Sequence, residues 1–526
     1  MDELLTLEAI EAQLRARFNE GFPTLKDLPS PFSFKDMDKA ASRIVDAIRR
    51  KERIAVVGDY DVDGVTATTL MIEFFSYIDY PVQWVIPNRF EDGYGLSVGV
   101  IDKLDDPDLI VTVDNGIAAV EAAQACKMRG IELIITDHHL LPPELPEAYA
   151  IIDQKRPDCT FPYDEVCGAQ IAWYLIAALK NKLGLSLDLK AMLDLTATAI
   201  IADMMPLRHI NRAMVIAGLQ MAARSKRPAM RAFLEYLDKS EVTAEDIGFG
   251  LAPLLNSAGR MEDAGYAVDF LLSRNIYDAR TALAKLVSFN EERKRIENDL
   301  TRSALEQAYE QNGVVVAYGQ DWHEGVVGIV AARVARACKR PALILSRNEE
   351  GRLKGSGRSF HGCDLFGLLS SSRSMLETFG GHRAAVGLSL YEEHLERFCS
   401  TIDEAYASLR IDTRDPDILG RLSFALIGFD LIALLKRYEP YGTGNPKPKF
   451  VTTVRVVSSE CVGKDGNHVR YRLEEGGIVR EAMHFKCDAA LPQGSTAEIV
   501  YTVAENRFRD TVRVQLYIEE INPLAR

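Results

Sequence analysis

The sequence has no CxxC pair; its eight cysteines are scattered over 526 residues. Thiolates at metal-ligand spacing are therefore missing, which argues against a structural zinc site and fits a reducing cytosol. Long apolar runs are missing too. The longest, Ile171–Leu179, falls far short of the roughly 20 residues that a membrane helix needs. The opening segment MDELLTLEAIEAQL is acidic and amphipathic and has no basic stretch, so it does not read as a secretory leader and a cytoplasmic location is expected. A basic excess is absent: 62 Lys and Arg against 76 Asp and Glu leave a net charge of −14. That excludes a generally basic nucleic-acid coat but not a local basic channel, and acidic metal ligands would themselves add to the total. There is no internal repeat and no low-complexity tract.

What is present is a large, soluble, globular composition, 47% hydrophobic and 26% charged, long enough for three or four domains. Residues 1–50 read as a helical N-terminal segment. From 51 to 275 short apolar runs (Ile54–Val57, Val82–Ile86, Leu109–Val113, Leu133–Thr136, Ala148–Ile152) alternate with helical stretches and give way to a mostly helical part. That rhythm predicts an α/β domain with an open parallel sheet. Residues 276–312 predict one long charged helix joining two bodies. Residues 313–410 show a second α/β rhythm. From about 450 five short strands predict a small closed β-barrel of the OB type, within a linker-plus-barrel region 411–526, and PYGTGNPKPKF before it reads as a turn-rich lead-in.

The chemistry collects at strand ends. GDYDVDG places Asp59, Asp61 and Asp63 just after the first run, VTVDNG places Asp114 after the third, and ITDHHL places Asp137, His138 and His139 after the fourth. In an open α/β sheet these ends converge on one edge, where ligands bind. A lone aspartate there is most often a helix cap. Five carboxylates and two imidazoles are too many for caps, since like charges about 4 Å apart repel by roughly 4 kcal/mol at an effective dielectric near 20. A cation must offset that, and carboxylate mixed with imidazole suits Mn²⁺ or Mg²⁺, with ligands enough for two ions.

DYDVDG, VDNG, TDHH and IADMMPL resemble the four motifs of the DHH phosphoesterase superfamily, in order and spacing, over residues 53–207. LAPLLNSAGRMEDA, DWHEGVVGIVAARV, GSGRS and FGGHRAAVGLSL resemble its branch of bacterial RecJ single-strand DNA exonucleases, with a DHH-associated second domain (DHHA1) and an OB fold. The second motif reads VDNG and the first carries Val62 at its variable position; neither change removes a ligand type. The resemblance implies two divalent metal ions held by Asp61, Asp63, Asp114, His138 and Asp203, with Asp59 a ligand or a support for one. It implies that Asp114 bridges the ions, that Asp137 orients its imidazole neighbours and that His139 faces the scissile phosphate. Arg260, in the polar turn NSAGR with Asn256, resembles a phosphate-contacting arginine. The small-residue loops around Ser356, Arg358 and Ser359, and around Gly380, Gly381 and His382, suggest a phosphate-binding wall on the second body. Trp322 and His323 either pack or line the cleft, and Arg333 reads as solvated. Lys447, Lys449 and Phe450 are the candidates for holding a strand on the barrel.

The expected activity is metal-dependent hydrolysis of single-stranded DNA, by resemblance 5′ to 3′ with release of mononucleotides, in recombination and repair. The partners implied are single-stranded DNA, single-strand binding protein and a RecQ-type helicase, with no membrane. Two other readings compete: a phosphodiesterase of the same superfamily acting on short oligonucleotides, cyclic dinucleotides or pyrophosphate, and a replication scaffold without catalysis. The long connecting helix and barrel weigh against the first, and the intact acidic motifs against the second. The sequence is also expected to lack the further C-terminal domain that some relatives carry.

Overall fold

The computed structural model describes residues 4–308, 313–409, 416–463, 466–487, 489–508 and 511–524. The expected end of the connecting helix at 309–312, and the expected boundary at 410–411, lie outside the described residues.

Short apolar runs form the first sheet, mostly buried except for the half-buried edge strand β2: β1 (Ile54–Val57), β2 (Gln83–Val85), β3 (Leu109–Val113), β4 (Glu132–Thr136) and β5 (Ala150–Ile152), in the order β2-β1-β3-β4-β5 and parallel throughout. Helices cover both faces, as a fully parallel sheet requires. The fourteen-residue helix Met37–Arg50 joins the core of this domain. The first helix, Leu7–Ala16, does not: its Ile10 and Leu14 pack into the C-terminal domain, and Leu5 donates its N–H to the carbonyl of Arg421.

Two helices border the acidic motifs. Helix Val62–Tyr77 begins at the first acidic motif, and helix Leu193–Ala202 ends at Asp203. Away from those ends they are tied by a buried ion triad. Arg227 pairs with Glu73 on the first helix and with Asp194 on the second (Nε to Oδ2, 3.2 Å), and Ser225 donates to the same Asp194 oxygen.

A single helix, Ile276–Ala308, spans 33 residues, about 50 Å at 1.5 Å per residue. Its first half buries Leu283, Leu286 and Phe289 in the first domain, and its second half buries Ala304 and Ala308 in the next. The second domain is a mixed sheet of β6 (Val315–Gln320), β7 (Ala342–Arg347), β8 (Arg352–Arg358), β9 (Thr378–His382) and β10 (Ala385–Tyr391), ordered β6-β7-β8-β10-β9. GSGRS and GGH therefore lie largely within strands, not in phosphate-cradling loops. The glycines of the first serve packing: a Cβ on Gly355 would stand 2.0 Å from the Ile344 carbonyl, and one on Gly357 2.4 Å from Leu343.

The third domain closes as a barrel. β12 (Lys449–Val462) pairs with both β13 (His468–Glu475) and β15 (Thr496–Phe508), while β14 (Ile478–Phe485) and β16 (Thr511–Pro523) complete the ring and β11 (Ile418–Arg421) adds to β12. Phe450 is fully buried in this barrel's core, so it is a packing residue and not a stacking platform. Lys447 pairs with Glu245 and Lys449 with Glu519. Among the described residues no helix is long and apolar enough to cross a membrane.

Arg227→Met would leave Glu73 and Asp194 without their cation. Removing one partner of a buried ion pair costs about 3–5 kcal/mol, so the first domain is expected to unfold at clearly lower urea concentration. An unchanged midpoint would mean the triad does not hold the two helices.

Candidate active site

Each acid of the cluster is placed by a local device. Asp61 is the N-cap of helix Val62–Tyr77, and its Oδ1 accepts from the N–H groups of Asp63 (2.9 Å) and Gly64 (3.1 Å). That leaves Oδ2 for another partner. Asp63 points at the start of helix Gly168–Leu183, where Gly168 N–H (2.6 Å) and Ala169 N–H (2.8 Å) donate to its two oxygens, a favourable seat for a carboxylate at a helix N-terminus. Asp114 ends β3 with φ +63°, and Gly168 is obligatory opposite it, because a Cβ there would lie 2.4 Å from the Asp114 Cβ. Asp137 accepts from Ile117 N–H (2.8 Å), from His138 N–H (2.7 Å) and from His139 Nδ1 (2.7 Å).

These devices bring the strand ends together. His138 Nε2 lies 3.1 Å from Asp114 Oδ1, 3.6 Å from Asp63 Oδ2 and 3.7 Å from Asp203 Oδ2. Three overlapping sets have ligand atoms within 4.8 Å of one another: Asp63–His138–Asp203, Asp59–Asp61–Asp114 and Asp114–His138–His139. Asp114 and His138 are each common to two of them. Asp59 offers a buried Oδ1 with no hydrogen-bond partner, and Asp203 a buried Oδ2 in the same state.

The electrostatics ask for a cation. Burial and the neighbouring carboxylates hold Asp59 and Asp114 well above the ordinary carboxylate range, and push Asp203 up to about 9. Burial lowers His138 to about 4, leaving a neutral imidazole able to ligate. At His139 burial opposes charge, but the bond to Asp137 and the charges of Asp137, Asp59 and Asp61 outweigh it and raise its pKa to about 9. The residues fit a pair of hard divalent ions: an all-oxygen and imidazole donor set, orphaned buried oxygens, and a third set, Asp114–His138–His139, that overlaps both of the others.

Facing the acids is a group of arginines. Helix Ala252–Met261 contains Asn256 and Arg260 one turn apart, so NSAGR is helical and not a turn; a Cβ on Gly259 would stand 2.7 Å from the Tyr60 carbonyl, which explains the small residue. Arg260 donates to the Gly325 carbonyl (3.0 Å) across the domain junction. Burial and the nearby Arg89, Arg293 and Arg358 lower its pKa to about 10, with Asp61 opposing. Arg358 donates to Ser356 Oγ (2.6 Å), and Arg89 lies over the Tyr60 ring at 4.1 Å with its Nε buried and unbonded. Among the described residues Arg89, Arg260 and Arg358 have no carboxylate within 4.0 Å. Arg293 and Arg333 are instead paired with the buried Glu297, so Arg333 is not a free solvated cation.

Ser359 Oγ donates to the Cys363 carbonyl (2.5 Å), and Gly380, Gly381 and His382 are exposed on β9, the edge of the second sheet. Trp322 packs against the second domain's core, and His323 meets the edge of Phe90 at 5.7 Å. Sequence reasoning missed Arg89, which follows β2, and Lys155, which follows β5 and donates to the His138 carbonyl. Both stand past strand ends, so the rule that found the acids reaches them too. Tyr94, whose hydroxyl is 3.3 Å from the His139 ring nitrogens, was also missed.

A five-stranded parallel sheet with acids and imidazole at its strand ends, carried by a long helix to a second α/β domain, defines a metal-centred DHH-type phosphoesterase fold. Family models agree along the chain: the DHH family N-terminal domain over residues 53–200, the DHHA1 domain over 311–408 and the RecJ OB domain over 419–520. The chain is 34% identical to the single-stranded-DNA-specific exonuclease RecJ of Bacillus subtilis, over 94% of this chain and 64% of that protein. It is 31% identical to the protein of that name from Haemophilus influenzae, over 95% and 93%. The crystal structure of RecJ in complex with Mn²⁺ from Thermus thermophilus superposes with a TM-score of 0.80 at 27% identity, over 94% of this chain and 72% of that one. The Mg²⁺ complex from the same organism gives 0.78, also at 27% identity, over 99% and 75%. The chain belongs to the RecJ family.

The pairing of Asp137 and His139 has a signed pH dependence in metal-free protein. His139 has a raised pKa, so the stabilisation is complete below its ordinary value near 6.5 and is lost as pH rises through about 9. NMR titration in EDTA is expected to place the His139 midpoint near 9, and Asp137→Asn to bring it down; the same midpoint in both proteins would refute the pairing.

Proposed function

We propose that this chain is a divalent-metal-dependent exonuclease that hydrolyses single-stranded DNA from the 5′ end and releases mononucleotides. The observation that carries the reading is the opposition of an acidic cluster able to hold two ions and a set of half-buried arginines that, among the described residues, have no carboxylate partners. Three unpaired arginines beside a dense acidic site are a standing cost unless an anion fills the gap, and guanidinium forks match phosphate. A strand's terminal phosphate seated among Arg89, Arg260, Arg358 and Ser356 would set its first phosphodiester bond at the acids, which fixes both end-selectivity and one-nucleotide steps.

Asp59, Asp61, Asp63, Asp114, His138 and Asp203 are the residues that would hold Mn²⁺ or Mg²⁺. Such a pair, when bound, polarises the phosphoryl oxygens and stabilises the charge on the attacking and leaving oxygens of an in-line displacement. His139, kept protonated by Asp137 and held near Tyr94, donates a proton or hydrogen bond to a phosphoryl or leaving oxygen. Lys155 fixes the backbone of the His138 turn. In this reading residues 51–275 are the catalytic domain, 276–312 the connecting helix, 313–410 the domain that brings Ser356 and Arg358, and 411–526 the linker and nucleic-acid-binding barrel. The enzyme would work in the cytoplasm in recombination and repair, beside single-strand binding protein and a RecQ-type helicase.

The test is degradation of a single strand labelled at either end, with a 5′-phosphate or a 5′-hydroxyl, in Mn²⁺. Mononucleotides are expected from the 5′ end only. Asp114→Ala is expected to lower the rate on the order of a thousandfold, as losing several kcal/mol of transition-state stabilisation requires. Arg260→Ala or Arg358→Ala should reduce the preference for a 5′-phosphate by about 10- to 100-fold, since a hydrogen bond to a charged group is worth about 1.5–3 kcal/mol. Release from the 3′ end, or no attack on long strands with cleavage of dinucleotides or pyrophosphate, would overturn the reading.

A further inference from the structure

Asn115 follows Asp114 directly and is fully buried. Its carboxamide is turned to the backbone, with both donors and the acceptor in use. Nδ2 donates to the carbonyls of Val57 (3.0 Å) and Val113 (2.9 Å), and Oδ1 accepts from Leu96 N–H (3.1 Å). Each partner belongs to a different segment. Val57 ends β1 just ahead of Asp59, Val113 ends β3 just ahead of Asp114, and Leu96 lies in the loop 86–97 between β2 and helix Val98–Asp102. Two donors and an acceptor on one short planar group are what a carboxamide offers; an ionised aspartate has no donor, and a serine or threonine has one. The backbone holds Asn115 in place for this task. Thr112 Oγ1 donates to its carbonyl (2.7 Å), and its main chain bridges Thr136 on β4.

The loop 86–97 reaches from this edge to the arginines. It carries Arg89, over the Tyr60 ring, and Tyr94, beside His139. Asn88 Nδ2 donates to the Glu262 carbonyl (3.1 Å), at the end of the helix that holds Arg260, and Phe90 meets His323 of the second domain. Asp92 ties the middle of the loop, accepting from Asn88 N–H (2.9 Å) and Lys103 Nζ (2.7 Å). Phe90 and Tyr94 are exposed, so burial does not fasten them. The far end is fastened at Leu96, by its buried side chain and its bond to Asn115. Gly95 beside it has φ +65°, and a Cβ there would lie 3.2 Å from the Asn115 Cβ and 3.3 Å from its Oδ1. The loop therefore rests directly on the carboxamide. One side chain joins the strand ends that supply Asp59 and Asp114 to the loop that supplies Arg89 and Tyr94.

We propose that Asn115 is a positioning residue, which sets the metal-holding strand ends against the loop that brings Arg89 to a terminal phosphate. The inference rests on the exonuclease reading and names the part that keeps its two halves in register. The acids and Arg89 stand on separate segments, so the span between them is only as fixed as the link that joins them. A misplacement of about 1 Å in such a site can cost on the order of 100-fold in rate. Asn115 does not touch the strand; it acts through Arg89 and Tyr94. Without its carboxamide the Leu96 N–H loses its acceptor, and the Val57 and Val113 carbonyls lose these donors.

The test reads the loop and the reaction separately, on full-length wild type, Asn115→Ala, Gly95→Ala, Arg89→Ala and the double variant of Asn115 and Arg89. Gly95→Ala presses on the carboxamide from the loop side and leaves the Val57 and Val113 bonds alone, so it tests the link even if Asn115→Ala disturbs the sheet. Hydrogen exchange followed by mass spectrometry in EDTA is expected to be about fivefold faster over 86–97 in Asn115→Ala and Gly95→Ala, and unchanged over helix Val62–Tyr77. On single-stranded 20-mers in Mn²⁺ both variants are expected to lose about 5- to 10-fold of the KM preference for a 5′-phosphate over a 5′-hydroxyl, as the loss of one hydrogen-bonded anchor predicts. Asn115→Ala should remove nothing further from that preference in the Arg89→Ala background. Unchanged exchange over 86–97 in both variants would overturn the link while the exonuclease stands. So would losses that add in the double variant, or a kcat that falls alike on both strands with the preference intact. A wild-type protein that leaves single strands intact would overturn the exonuclease reading itself.

Discussion

Mutual repulsion among buried carboxylates is the constraint on which this structure turns. Asp59, Asp63 and Asp114 are each nearly inaccessible to water, and Asp203 sits close by. Water therefore cannot screen them, and the cluster is tolerable only with positive charge inside it. Much of the first domain serves to hold that arrangement. The N-terminus of helix Gly168–Leu183 grips Asp63, Gly168 makes room for Asp114, and Asp137 holds the His138 backbone N–H and the His139 imidazole. The Arg227 triad ties the two acid-bearing helices at a second point. These are the supports that a metal site needs around its ligands.

The same electrostatic logic explains how the domains meet. The long helix fixes the second domain by burying apolar residues in both cores, and its Glu297 draws in Arg293 and Arg333. Among the described residues, Arg89, Arg260 and Arg358 at the junction have no carboxylate partner. In the proposed reading, acids on one wall and these guanidiniums on the other take an anion bridged by cations, and a phosphate at the end of a nucleic-acid strand has that chemistry. The barrel is part of this site, since its lead-in loop pins the turn after Asp203.

The acids were legible because their signal is local: a buried run followed at once by carboxylates, repeated at three strand ends. The alternation of runs and helices, and the five closing strands, were legible for the same reason. Reading failed where tertiary packing sets the outcome. NSAGR looks like a turn by composition, yet Gly259 and Ala258 are small because a helix presses on Tyr60 and the core. The glycines of GSGRS resemble a phosphate loop but clear space between paired strands. Phe450 could not be told from a stacking aromatic without the barrel around it. Arg89, Arg260 and Arg358 come from three distant segments, so their lack of ion-pair partners exists only in the folded chain.

The central claim is that the acidic cluster is a two-ion site bridged by Asp114. Crystals soaked in Mn²⁺ and measured at the manganese absorption edge test it without relying on turnover. The account predicts two anomalous peaks about 3.5–4 Å apart, one beside Asp63, His138 and Asp203, the other beside Asp59 and Asp61, with Asp114 between them. No peak at the cluster, or a single peak away from Asp114, would contradict it.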